Sequence, residues 1–222
     1  MDLVDDDMTK SFAAGRAYSQ IKNRLFAFRV RPTVPLHAAE IADMIGVSIT
    51  PVREALIRLS SEALIETGPR RGFTPKILSH SELEELYTIN EGLLKLAAES
   101  LAFSARQKTC LTGLIAHLER CRPPVPEAIV SYTEMLFHGI AAGFNAGPFN
   151  ATIGNISDQL HCIRKVEATA LPDITGELLT LARTIHDGTH DDLRACLSSY
   201  HTRRIDHIPA LLKELYNRLH TG

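Results

Sequence analysis

The sequence predicts a mainly α-helical chain in two parts: short helices closed by a small β-hairpin, then an all-helical antiparallel bundle. Three observations predict it. Apolar residues recur at helical spacing along most of the 222 residues. The stretch that suits paired strands lies between Leu64 and Pro75, around a turn rich in glycine and proline. Proline and glycine breaks then divide the remainder into pieces of helix length. The length suffices for one large domain or two smaller ones, and hydrophobic residues at 45% suit a water-soluble globular protein.

Residues 1–10, MDLVDDDMTK, read as an acidic flexible tail. They are acidic where a signal peptide would be basic, and no apolar segment follows them, so a cytoplasmic protein is expected. Apolar runs are as short as Leu93-Leu94 and Leu211-Leu212, and no membrane partner is expected. Cys110, Cys121, Cys162 and Cys196 are widely spaced, without a C-x-x-C pair. That argues against a disulfide framework or a cysteine zinc site, and for buried free thiols.

Residues 11–78 are expected to form the first domain. A helix over 11–28 carries Ile21, Leu25 and Phe28 at helical spacing, with Lys22, Arg24 and Arg29 around them. Arg31-Pro32-Thr33-Val34-Pro35 ends it, because proline cannot continue a helix and restricts the residue before it. Ala38, Ile41, Ala42 and Ile45 then form the apolar stripe of a short helix, and Gly46 supplies a tight turn. Ser48 is an N-cap candidate, and Pro51 lies in the first turn of the next helix, where its missing N–H is harmless. Val52, Ala55, Leu56 and Leu59 make that helix's inner stripe. At about 100° per residue, Thr50, Arg53, Glu54 and Ile57 fall on the opposite face. Two short helices joined by a glycine turn, the second with an exposed polar start, make a helix-turn-helix.

A wing follows. Residues 64–67 suit a strand, Gly68-Pro69-Arg70-Arg71-Gly72 a turn, and Phe73-Thr74-Pro75 a return strand. Two adjacent arginines at a hairpin tip are explained well by contact with phosphate. The charge is divided in the same sense. Residues 1–78 hold 11 basic and 9 acidic side chains, of which Asp2, Asp5, Asp6 and Asp7 lie in the tail. With those four set aside, the balance is 11 basic against 5 acidic, whereas residues 79–222 hold 13 basic and 17 acidic. A basic unit joined to an acidic one is expected where only the first touches a polyanion.

The run GVSITPVREALIRLSSEALIETGPRRGF resembles the winged helix-turn-helix of the GntR family, with its G-V-S-R-T-P-V-R-E-A-L-x-R-L pattern, short strand and R-G wing. The resemblance implies double-stranded DNA as a partner. It places Ser48, Thr50 and Arg53 at the groove-facing end of the recognition helix, Arg58 at a flanking basic position, and Arg71 and Gly72 at the wing tip, beside Arg70. Arg53 suits a bidentate pair with guanine. Ser48 and Thr50 suit phosphate at the positive end of the helix dipole, and Arg58, Arg70 and Arg71 suit salt-dependent affinity. Three positions depart from the pattern. Ile49 replaces an arginine, Pro32-Thr33 replaces Pro-Gly, and Ala63 replaces the glycine before the wing strand.

Residues 79–222 are expected to form a helical effector-binding and dimerisation domain. Ser79-His80-Ser81-Glu82 is a capping box opening a helix with Leu83, Leu86, Leu93 and Ala97 at helical spacing. Further helices are expected over about 107–121, 127–145, 149–169, 173–187 and 190–219, separated by the breaks at 122–126, 147–148, 171–172 and 187–188. Without an alternating strand pattern, this is an antiparallel bundle.

A bundle after this winged domain resembles the FadR-type branch of the family and its effector-binding FCD domain. That branch commonly holds a metal with one aspartate and three histidines and binds small carboxylates. The family's D-x-x-F-H becomes Glu134-Met135-Leu136-Phe137-His138, and Glu134 and His138 at i,i+4 share a helix face. The final histidine matches His201. The remaining one falls on Leu179, which cannot ligate, and His186 lies two turns further along. One reading is a divalent ion of zinc, nickel or manganese type on Glu134, His138 and His201, with water completing the set. The other is a metal-free polar cavity in which the histidines bond to an organic ligand or to one another. His161, Leu179 and His186 are candidates for the same pocket. The family's arginine and glutamate on the first bundle helix correspond to Asn90 and Leu94.

The function expected is a homodimeric, ligand-responsive regulator on a palindromic operator, not an enzyme. Two alternatives stay open. One is a metal-dependent enzyme built on Glu134, His138 and His201, although no nucleophile motif, phosphate loop or H-E-x-x-H accompanies them. The other is a helical interaction protein with a decayed DNA module, which Ile49 keeps in view.

Overall fold

The computed structural model describes residues 2–30, 34–68, 72–99, 105–120, 125–144 and 146–221. They form helices α1 (Asp2–Phe26), α2 (Ala38–Ile45) and α3 (Ile49–Ser61), strands β1 (Ile65–Gly68) and β2 (Gly72–Pro75), and helices α4 (His80–Ala98), α5 (Ala105–Arg120), α6 (Pro126–Ala142), α7 (Gly147–Ala170), α8 (Ile174–Asp187) and α9 (His190–Thr221). The chain divides into two compact units, Met1–Ile77 with Asn217–Gly222, and Leu78–Tyr216. The second unit therefore stops short of the expected residue 222, because the end of α9 groups with the first. Among the described residues no helix is long and apolar enough to cross a membrane.

The acidic stretch expected as a flexible tail is helical from Asp2 onward. In the first unit Ala17 and Ile21 of α1 pack with Ile41, Ala42 and Ile45 of α2 and Val52, Ala55, Leu56 and Leu59 of α3. Ile65 of β1 joins that core. The hairpin is antiparallel in the register Ile65↔Pro75 to Gly68↔Gly72, and the Leu36 N–H donates to the Phe73 carbonyl at 2.7 Å. That bond ties the segment before α2 to the wing.

The second unit is all-helical. Ser79 opens α4 with the expected capping box: its hydroxyl accepts from the Glu82 N–H at 3.3 Å, and its own N–H donates to the Glu82 carboxylate at 2.8 Å. Thr189 and Asp192 form a similar reciprocal pair at the start of α9. Helices α6 and α7 run antiparallel, with Glu127 opposite Lys165 and Glu134 opposite His161. The inner stripe of α7 is Ile153, Ile156, Leu160 and Ile163, all buried. Three charged residues on the same helix, Arg164, Lys165 and Glu167, are buried with it.

The thiols are not all buried. Cys110 is exposed, and Cys162 and Cys196 are half-buried; Cys121 lies outside the described residues. Burial pushes the Cys162 thiol up to about 12, against the opposing charge of Lys165.

Candidate nucleic-acid interface and the bundle interior

The turn between α2 and α3 is built by Gly46 in the left-handed region at φ 68°, with its N–H and that of Val47 both donating to the Ala42 carbonyl. A side chain there would meet nothing within 4 Å, so the backbone angle alone calls for glycine. Arg16 of α1 secures the same end of α2 by donating to the Ile45 carbonyl at 2.7 Å.

Ser48 is the N-cap of α3, yet its hydroxyl makes no capping bond, which leaves it for another acceptor or donor. Pro51, Val52, Ala55, Leu56 and Leu59 are buried, whereas Ser48, Ile49, Thr50, Arg53, Glu54, Ile57 and Arg58 are exposed. The outward face is therefore the one that periodicity gives. Arg53 has no partner among the described residues. Arg58 differs. Its guanidinium lies 4.0 Å over the Tyr18 ring and donates to Glu62 at 3.0 Å, and the Tyr18 hydroxyl donates to the same carboxylate at 2.6 Å. Burial, followed by that bond to Glu62, raises the Tyr18 pKa. Arg58 thus already ties α3 to α1. Ile49 stands 44% exposed in the first turn of α3 without disturbing the helix. At the wing, Gly72 takes φ 67°, while Arg70 and Arg71 lie outside the described residues.

In the second unit the three predicted metal ligands, Glu134, His138 and His201, are not gathered into one site among the described residues, although Glu134 meets His161. His201 is fully buried. Its Nδ1–H donates to the Leu197 carbonyl at 2.7 Å, an acceptor that fixes the tautomer, so Nε2 accepts from the Asn90 amide at 3.0 Å. The ring stacks on Phe137 at 5.8 Å, and burial pushes its pKa down to about 3. Glu134 accepts from His161 Nδ1 at 3.0 Å and lies 3.7 Å from Arg164. His138 is exposed, with its Cε1 against Gly154 of α7. His186 is held between Thr112 of α5 at 3.1 Å and Asp187 at 2.6 Å. Leu179 lines an open groove between α8 and α9 with Arg183, Asp192 and Arg203.

These side chains do not fit a metal ion. Both ring nitrogens of His201 are committed, a guanidinium already stands beside Glu134, and Leu179 supplies no donor. Among the described residues no three or more histidine, cysteine or acidic side chains are placed to hold one.

What the bundle does contain is a buried charged network that the sequence reading missed. Arg204 of α9 donates through Nε to Glu167 at 3.0 Å and through both terminal nitrogens to Glu177 at 2.6 Å. Tyr87 of α4 donates to the other Glu167 oxygen, so one network joins α4, α7, α8 and α9. Burial alone would lower the Arg204 pKa, but Tyr200, Glu167 and Glu177 hold it above its ordinary value. Burial and the Glu167 charge raise Tyr87 well above its own. A signal was present: Arg164, Glu167 and Arg204 fall on otherwise apolar stripes.

Residues 13–74 match the family described as Bacterial regulatory proteins, gntR family. The helix-turn-helix segment is thus similar to that of the gntR family. The chain is 32% identical over 101 residues to an uncharacterized HTH-type transcriptional regulator in the TAR-I ttuE-ttuC' intergenic region of Agrobacterium vitis, a match covering 46% of this chain and 59% of that protein. It is 26% identical over 158 residues to the uncharacterized HTH-type transcriptional regulator YdhC of Bacillus subtilis, covering 68% and 70%. Two solved structures share the fold. Escherichia coli McbR/YncC superposes with a TM-score of 0.69 at 21% identity, over 92% of this chain and 98% of that one. A putative transcriptional regulator GntR from Rhodococcus sp. RHA1 superposes with 0.72 at 13% identity, over 89% and 97%.

Proposed function

We propose that this gntR-type chain is a DNA-binding transcriptional regulator that acts as a homodimer on a roughly palindromic operator. Its helical unit is read as an FCD-type domain whose small carboxylate effector shifts DNA affinity. The observation that carries the DNA-binding reading is the outward face of α3. Ser48, Thr50 and Arg53 stand exposed at the helix start, with the Ser48 hydroxyl and the Arg53 guanidinium uncommitted, while the opposite face is core. In a dimer, two such helices about 34 Å apart read successive major grooves. An effector that prefers one arrangement of the dimer biases that spacing by its differential affinity and no more.

An enzymatic reading on Glu134, His138 and His201 has little support, since the three side chains have separate partners. The relatives matched above are named as regulators. A decayed DNA module is not favoured either, because Ile49 leaves α3 and its exposed polar face intact.

The test is binding of the full chain to genomic DNA fragments across a salt series, with and without a chelator. Selected sites, and an affinity that falls steeply with salt, are expected. Absence of both overturns the reading.

A further inference from the structure

Arg164 is the anomaly of the bundle. It is 1% exposed, and none of its three guanidinium nitrogens has a hydrogen-bond partner among the described residues. A buried guanidinium with unused N–H groups carries a large desolvation cost, and such groups are ordinarily paired. Its counter-charge among the described residues, Glu134, stands 3.7 Å from Nη1, outside hydrogen-bond length, and is itself bonded to His161. The guanidinium lies over Phe137 at 5.3 Å. Phe137 in turn packs against Tyr200 at 5.1 Å, whose buried hydroxyl also has no partner, and Ser157, two turns earlier on α7, is in the same condition. So a cation and a hydroxyl are left unsatisfied around one aromatic cluster, with a second such hydroxyl on the same helix as the cation. Glu134 and His161, bonded to one another beside it, are 24% and 19% exposed.

We propose that Arg164 takes the role a metal would have in this bundle: it anchors a small carboxylate directly, by a paired set of N–H bonds, without any metal ion. A guanidinium presents two parallel donors that match the two oxygens of a carboxylate, and Tyr200 supplies a further O–H. Glu134 then has a role opposite to that of a ligand. It is the competitor of the guest, holding the guanidinium at a distance until a second carboxylate takes its place. This rests on the effector reading given above, but it is tested without DNA.

The experiment is calorimetric titration and thermal unfolding of the full chain with the sodium salts of acetate, lactate, malonate and succinate. Sodium chloride is the ionic-strength control, and zinc, nickel and manganese chlorides, each alone, are separate arms. At least one carboxylate is expected to bind saturably in the presence of EDTA, while the metals alone raise no transition. Arg164→Met is expected to weaken that binding about tenfold or more, the loss of a charge-assisted pair. Glu134→Gln, which removes the competing charge and keeps the shape, is expected to tighten it several-fold. A metal site would give the opposite sign, because Glu134 would be a ligand. Should Arg164→Met unfold, the sign of the Glu134→Gln effect decides alone. Four results overturn the proposal: no saturable carboxylate binding, which leaves Arg164 to internal water; binding abolished by EDTA; binding unchanged in a folded Arg164→Met; or binding weakened in Glu134→Gln. If carboxylate binding fails while DNA binding persists, only this inference falls. If DNA binding fails while carboxylates bind, the regulator reading falls instead.

Discussion

The recognition helix and the bundle interior place their arginines differently. On α3 Arg53 is exposed and uncommitted, and Arg58 lies on the surface against Tyr18 and Glu62. In the bundle Arg164 and Arg204 are each 1% exposed, and Glu167 is buried with them. The difference teaches what each unit is built to do. An exposed arginine with no internal partner costs the fold almost nothing and is available to a polyanion. A buried one is tolerated only with compensation, so it reports either a structural network or a ligand. Arg204, with Glu167 and Glu177 around it, is the first case, and Arg164 is the second.

The comparison breaks first at Arg204. Arg204→Ala leaves Glu167 and Glu177 without their shared cation, and removing one partner of a buried pair costs about 3–5 kcal/mol. Urea unfolding of the full chain is the measurement. A loss below about 1 kcal/mol, the ordinary worth of a surface pair, would mean that the network is not the staple its geometry describes.

His201 sharpens the same contrast through pH. Its folded pKa is depressed to about 3 from an ordinary 6.5, so the native state holds it neutral while the unfolded chain takes up a proton. The stability this confers is fully present above about pH 6.5 and is lost progressively as pH falls toward 3. The slope approaches about 1.4 kcal/mol per pH unit. Unfolding of the wild type and of His201→Gln at pH 7, 6 and 5 should differ in slope by a fraction of a proton near pH 7, rising to close to one proton near pH 5. Equal slopes would show that the imidazole is not held neutral by burial.

These two tests bear on what was legible beforehand. The outward face of α3 follows from periodicity, since Val52, Ala55, Leu56 and Leu59 leave one orientation for Arg53. The hairpin followed from Gly68 and Gly72, and the helix limits of the bundle from Pro126, Pro148 and Gly188. The interior network did not follow, because a charge on an apolar stripe signals burial but does not name its partners until the neighbours are known. The metal reading placed Glu134 and His201 by position, but position does not say where a side chain's lone pairs are spent. Asn90 takes those of His201, and only the packed structure brings residues 90 and 201 together.

Arg53 tests the other side of the comparison. Arg53→Ala is expected to leave folding unchanged and to relax sequence preference by about 1–3 kcal/mol at one base position. Arg58→Ala is expected to lower stability by roughly 1 kcal/mol through the lost Tyr18 and Glu62 contacts. Binding selections with each variant, beside their unfolding curves, separate the two. If Arg53→Ala weakened all sequences equally, it would be a phosphate contact. If Arg58→Ala left stability intact, its ties to α1 would be idle.

The smallest effect lies in the backbone at the end of α3. Ala63 sits in the left-handed region at φ 57°, with its N–H on the Ser60 carbonyl and that of Leu64 on Leu59, each at 3.0 Å. This is the position where the family pattern carries glycine, and the angle explains why. A residue with a Cβ is strained there by roughly 1–2 kcal/mol, while glycine adds about 0.5–1 kcal/mol of freedom to the unfolded chain. The difference favours Ala63→Gly by an amount on the order of 0.5–1 kcal/mol. Gly46→Ala, at another left-handed helix end of the same unit, is expected to move stability in the opposite direction by about 1 kcal/mol. Since β1 begins two residues after Ala63, relief of the strain should also steady the wing, read as slower amide exchange at Thr67 and Phe73. A loss of stability in Ala63→Gly would mean that alanine's restriction of the unfolded chain outweighs its strain. The marginal steps of this unit would then lie elsewhere than at its helix ends, and the contrast with the charge-laden bundle would have to be drawn again.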